Sequence, residues 1–301
     1  MNIQKALSVI ILSALLLCTA IPSLAEVKYI TVDSQAILPD DSEVMQEYPA
    51  TLIRGEIAYD LVTMLENLLG ENYETMETTE NSLRQSYESR DASKPYRYVY
   101  IDSVSDTLDY HDAMITGERE GEYQPSNMNM LYDESLVLCK SLLADLVDSE
   151  WLEHPGIARQ ISERWNHFED RWSTDSEYAE SLRNASLHYF VFEHQTETGL
   201  SILDDNLTAA VGVNGLDTMM LTWHNFITDE TTATPMSLED AIAMADTTRQ
   251  SPTVLLYAQL VYSNWLTGND EYNLSWYLVT SEGNYVVDCI QNKHMCDMYE
   301  Y

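Results

Sequence analysis

Hydrophobic and polar positions alternate at the start of the chain, switch to helical spacing, and alternate again toward the end. Residues 27–38 (VKYITVDSQAIL) alternate and are rich in β-branched side chains, which predicts a strand ended by Pro39-Asp40-Asp41. Ile53, Ile57, Leu61, Leu65 and Leu68 then recur at helical spacing, predicting a helix closed by Gly70. The acidic stretch 71–94 reads as a helix piece plus a loop, Tyr96 to Ile101 as a strand, and 117–129 as an exposed loop. Asp133 and Glu134 open a further helix, where acids favour the positive end of the helix dipole. Its apolar face is Leu138, Leu142 and Leu146, beside Cys139 and Leu143. Pro155 suits a first helical position, and Ile157, Ile161, Trp165, Phe168 and Trp172 line one face of the helix that follows.

From Leu187 the texture changes. Residues 187–194, 201–203, 209–213 and 218–227 read as four strands, punctuated by Gly199, Gly212 and Gly215. Ser237-Leu238-Glu239-Asp240 has the form of a helix cap, and Ala241, Ala243, Met244 and Ala245 continue that helix. Residues 253–262, 272–280 and 284–290 predict three more strands, with Ser281-Glu282-Gly283 as a hairpin turn between the last two. The fold expected is therefore α+β, with a helix-rich N-terminal part over 26–184 and a C-terminal antiparallel sheet with a packed helix over 185–301. No internal repeat stands out.

The first 25 residues read as an address. Lys5 is the only charge before Glu26, Ala6 to Leu17 is an apolar run, and Ser23-Leu24-Ala25 follows Pro22 with small residues where a signal peptidase reads them. Cleavage is expected after Ala25. The alternative is an uncleaved anchor, since the uncharged stretch from Ala6 to Ala25 is long enough to cross a bilayer. Either way the chain is expected outside the cytoplasm.

Charge narrows the function classes. Fifty acids against fifteen Lys and Arg give a formal net charge of −35. Such a surface repels phosphate backbones, so neither nucleic acid nor an anionic membrane surface is an expected partner. Cys139, Cys289 and Cys296 follow the leader; in an exported chain the last two are the natural disulfide pair, and Cys139 reads as a buried thiol on an apolar helix. Cys289, His294 and Cys296 could instead supply three zinc ligands.

Positive signs of catalysis are few. The sequence has no H-E-x-x-H, no paired C-x-x-C, no calcium loop, no G-x-S-x-G and no Gly-rich phosphate loop, so no metal or cofactor is expected. His188 and His194 share a strand face but lie about 20 Å apart at ~3.3 Å per residue, too far to share an ion. Glu163, Glu169 and Asp170 flank Trp165 and Trp172, the one foothold for a glycosidase. Asp204-Asp205-Asn206 reads as a solvated turn that could hold calcium weakly. A carbohydrate-binding module would need exposed rings, and burial of Trp165, Trp172, Trp223 and Trp276 would count against it. Tyr outnumbers Phe by 20 to 4, and Tyr96, Tyr98 and Tyr100 on one strand face are the candidate partner surface.

Ser237-Leu238-Glu239-Asp240-Ala241-Ile242 resembles the S-L-E-E-A-I helix start of PepSY-like modules. The strands that follow, Leu274 to Val279 and Tyr285 to Asp288, are similar in order to those of Yyc-type extracytoplasmic regulatory proteins of Gram-positive bacteria. The N-terminal half resembles exported proteins of gut Firmicutes. The resemblance implies an exported, non-catalytic module that binds or regulates an envelope protein or sensor. The alternative function is a secreted hydrolase or carbohydrate-binding protein acting on wall glycan or peptide.

Overall fold

The computed structural model describes residues 28–39, 44–76, 83–91, 96–112, 130–156, 184–185, 187–247, 251–268 and 270–298. The leader over 1–25, the loop over 117–129 and the Trp165–Trp172 helix with Glu163, Glu169 and Asp170 lie outside them.

Strands β1 (Ile30–Ile37), β2 (Tyr48–Pro49) and β3 (Thr51–Ile57) lead into helix α1 (Leu61–Leu69). A meander follows: β4 (Tyr73–Thr75), β5 (Arg84–Ser89), β6 (Arg97–Asp102) and β7 (Thr107–Asp112). After the two-residue β8 (Met130–Leu131) come helix α2 (Tyr132–Leu143) and a 3-10 turn over Ser149–Leu152. Next are the two-residue β9 (Asn184–Ala185), then β10 (Leu187–Gln195), β11 (Ser201–Gly212), β12 (Gly215–Leu221) and β13 (His224–Thr228). Past β14 (Thr232–Ala233), helix α3 (Leu238–Asp246) precedes a second meander. Its strands are β15 (Thr253–Ser263), β16 (Glu271–Thr280), β17 (Gly283–Asp288) and β18 (Lys293–Met298).

The helix-rich N-terminal part is corrected: the described residues there are mainly strands. β3 takes the place of the first half of the expected helix. Its hydrophobic spacing mimics a helix, yet Leu52 is its only buried residue, and β13 and β16 satisfy its backbone. The helix starts only where Asp60 can cap it, accepting the Thr63 amide at 2.7 Å. Likewise 71–94, read as helix and loop, holds β4 and β5, whose polar side chains lie on a largely exposed sheet end.

Fourteen strands join in one branched mixed sheet with two arms. The first arm runs β10-β11-β12-β7-β6-β5-β4 and is antiparallel throughout. Helices α1 and α2 supply Met64, Leu65, Leu68, Leu69, Cys139 and Leu143 to its core, against Val99, Leu108, Phe190, Phe192, Leu207 and Met219. The second arm runs β1-β15-β16-β17-β18, with β1 parallel to β15 and the rest antiparallel. In β16 nine of ten residues are buried, because both faces are covered. Tyr272, Leu274, Trp276 and Leu278 face α3, while Tyr277 and Val279 enter a smaller cluster with Leu256 and Val261. Ala241 and Ala245, both fully buried, belong to the cluster on the α3 side. Trp276 Nε1 donates to the Met236 carbonyl at 2.9 Å, tying the start of that helix to the sheet.

A repeat does emerge. A nine-residue capped helix followed by a four-strand antiparallel meander occurs twice, as α1 with β4–β7 and as α3 with β15–β18. Sequence periodicity hides it, because one meander has short, polar strands and the other long, buried ones. The arms meet through β11. Ser201 and Ile202 pair in parallel with Val261 and Tyr262 of β15, whereas Leu207 to Gly212 pair with β12. Between them Asp204 sits at φ 64, the left-handed kink that lets one strand serve both arms.

Candidate functional site: the two faces of the junction

The kink in β11 places chemistry on both sides of the sheet. On the core side, Asp205 is fully buried and collects donors. His194 Nδ1 lies 2.9 Å from one carboxylate oxygen, His224 Nδ1 2.6 Å from the other, and the His224 amide 3.1 Å from the first. A carboxylate only accepts, so each facing Nδ1 carries the proton. Three donors offset the cost of burying this charge. The remaining ring nitrogen of His224, Nε2, is buried without a hydrogen-bond partner, and the Asp106 carboxylate stands 3.8 Å away. Tyr59 donates to the Asp106 carbonyl at 3.2 Å; burial, then the Asp106 and Asp205 charges, push its phenol well above the ordinary range. The His194 ring stacks on Trp223 at 4.4 Å, and Trp223 on Trp151 at 4.5 Å.

The opposite side opens as a cleft of about 420 Å³, walled by the β10–β11 hairpin, by β15 and by the segment around Tyr48. Glu193 is the one carboxylate among its described lining residues. It accepts a hydrogen bond from Ser201, and burial raises its carboxyl above the usual range against the opposing effects of that bond and of His154. Residues His154 to Gly156 run along β10 as an added edge: Gly156 donates to the Val191 carbonyl at 2.7 Å and Glu193 to the His154 carbonyl at 2.9 Å. A Cβ on Gly156 would meet Glu193 Cγ and Cδ at 2.9 Å, so the glycine leaves room for the carboxylate's stem. Gln46, Gln195 and Gln259 add side-chain amides, and Tyr257 donates to Gln259. The cleft therefore offers one carboxylate, several neutral donors and acceptors, and no Lys or Arg among its described lining.

The residues singled out from sequence fall elsewhere. Tyr98 and Tyr100 share the outer face of β6 as expected, their rings 5.2 Å apart, with His111 stacked on Tyr98 at 5.0 Å and Arg84 over Tyr100. Tyr96 stands one residue before the strand, at φ 63. Cys289 is a free, half-buried thiol, pushed up to about 11 by burial. The β17–β18 register sets Cys296 opposite Tyr285. Cys139 is buried as expected, its thiol pushed up to about 12. Trp223 and Trp276 are buried, which removes two of the four rings a sugar platform would use. Asp204 to Asn206 form no turn; they lie inside β11 with Asp205 engaged by imidazoles. No three His, Cys, Asp or Glu among the described residues are placed to hold a metal ion.

Neither face was found from sequence. The sequence sets His194 beside His188 on one strand face and Asp205 within an apparent turn, and neither placement points to the other. The legible signal was an acid, Asp205, inside a stretch that otherwise alternates as a strand.

No family model matches the sequence, and no curated protein does. Among solved structures the chain is similar to the C-terminal domain of YpeB from Bacillus megaterium, at 13% identity over 82% of this chain and 100% of that one, with a TM-score of 0.36. It is also similar to an uncharacterised protein from Eubacterium rectale, at 9% identity over 85% and 86% of the two chains, with a TM-score of 0.40. The chemistry of the site rests on its own residues. No helix among the described residues is long and apolar enough to cross a membrane.

Proposed function

We propose that this chain is an exported, non-catalytic binding protein of the bacterial cell envelope, and that its ligand seats in the Glu193 cleft. The N-terminal leader pattern and the strongly acidic composition support export and a solvated life. The observation that carries the binding role is the cleft itself. Its volume lies in the range of small-molecule sites, and its lining is mostly neutral hydrogen-bonding groups around one half-buried carboxylate. Glycoside hydrolysis needs two carboxylates across a bond, and the described lining supplies one.

The test is a titration of the purified chain with soluble wall fragments and amino compounds, read by backbone amide resonances and by product analysis. Reversible shifts at Gln195, Thr198, Gly199 and Gln259, with every fragment recovered intact, are expected. Turnover of a fragment that disappears in Glu193→Gln would overturn the reading in favour of a hydrolase. Crosslinking in the native host then identifies the envelope protein or sensor, if one engages the chain.

A further inference from the structure

The lining of the cleft is asymmetric in charge. A largely desolvated carboxylate with no Lys or Arg among the described lining, and only His154 as a nearby basic group, is costly to ionise, and a ligand that brings its own cation recovers that cost. Around Glu193 stand the carbonyl-bearing amides of Gln195 and Gln259, the Ser201 hydroxyl, and the titratable Tyr48, Tyr257 and His154. Tyr48 and Tyr257 are only 3% and 7% exposed, so neither offers an open ring face on which a sugar could stack. A compact cation with several N–H donors suits the Glu193 carboxylate and the amide and hydroxyl oxygens of this wall better than a flat or anionic group.

We propose that the cleft takes a primary ammonium group, seated on the Glu193 carboxylate and circled by the side-chain amides of Gln195 and Gln259. The inference rests on the cleft being the ligand site. The ammonium can belong to a free amino compound or to the lysine side chain of a short peptide; both present the same three donors. Seating it favours the ionised carboxylate and so opposes the upward shift that burial gives the Glu193 carboxyl.

The experiment is calorimetry and amide-resonance mapping on the purified full chain with four probes. They are putrescine, an end-blocked Gly-Lys-Gly peptide, the same peptide acetylated on its lysine, and N-acetylglucosamine. Putrescine or the lysine peptide is expected to bind one to one, shifting Gln195, Thr198, Gly199 and Gln259. Lysine acetylation and Glu193→Gln should each weaken binding by about ten- to a hundredfold, the loss of one charged hydrogen bond. A pH series carried through the carboxyl range in two buffers of different ionisation enthalpy should reveal proton release in the parent and none in Glu193→Gln. The tighter of the two amine probes identifies the source of the ammonium. Equal binding of the acetylated peptide or of the sugar at the same residues overturns the ammonium assignment and leaves the cleft as a site for neutral ligands. Failure of both amines to bind also overturns it. Shifts confined to residues remote from the cleft, unchanged in Glu193→Gln, overturn the cleft as the ligand site itself.

Discussion

Two side chains on the paired strands of one hairpin carry opposite lessons about burial. Asp205 is deeper, yet three donors satisfy it. Removing its charge in Asp205→Asn leaves two imidazoles competing for one carbonyl oxygen, with an expected loss of about 2–3 kcal/mol measured by denaturant unfolding. Glu193 has one side-chain donor and a raised carboxyl. The folded chain therefore keeps that proton at pH values where the unfolded chain has released it. Stability from this group is full below the unfolded carboxyl range and is lost as pH rises through the raised folded value. Glu193→Gln should thus melt higher than the parent at neutral pH and alike in acid, and a pH series of Tm checks it. At Cys289 the free thiol predicts alkylation without prior reduction, slowed by its raised pKa of about 11, as read by intact mass. Protection of Cys289 that only reduction lifts would restore the disulfide. These side chains were poorly legible in the sequence: burial of an acid depends on what folds over it, and no local pattern around Asp205 or Glu193 announces that.

Secondary elements were legible wherever local pattern and tertiary demand agree. α3 was read from Ser237 onward because its cap, its acids and its alanines all serve the helix that forms. The Ser237 hydroxyl accepts the Asp240 amide at 3.1 Å, so Ser237→Ala should cost about 1 kcal/mol of stability, seen in chemical denaturation. β15, β16 and β17 were read because long buried strands announce themselves by apolar runs. β3 was misread since Ile53 and Ile57, which supplied the helical spacing, lie on a strand whose pairing comes from residues about 170 and 220 positions away. β18 was missed altogether, its place given to a tail pinned by cysteines. Trp276 is the largest fully buried side chain, and Trp276→Ala should cost about 3–5 kcal/mol, enough to unfold a marginal domain.

At the level of the whole molecule, strand pairing runs across residue 185. β12, from the C-terminal part, lies beside β7 from the N-terminal part, and β1 and β3 belong with β15 and β16. Each arm borrows strands from across that point, and the kinked β11 is common to both. A chain ending at residue 184 should therefore stay unfolded by amide exchange, since the described strands β1 and β3 would lack their partners. Sequence periodicity carries no information on such long-range pairing, which is why the repeat and the branched sheet emerged only in three dimensions.

The parallel pairing of β1 with β15 also sets a timetable. Ile30 sits opposite Thr253, and the Tyr29 and Ile30 amides donate to Asp246 at the end of α3. A chain made from its N-terminus delivers β1 early and its partner more than two hundred residues later. During that interval β1 waits as an unclaimed strand. Folding of the second arm therefore waits for the residues from 253 onward, with a high contact order and a slow closing step.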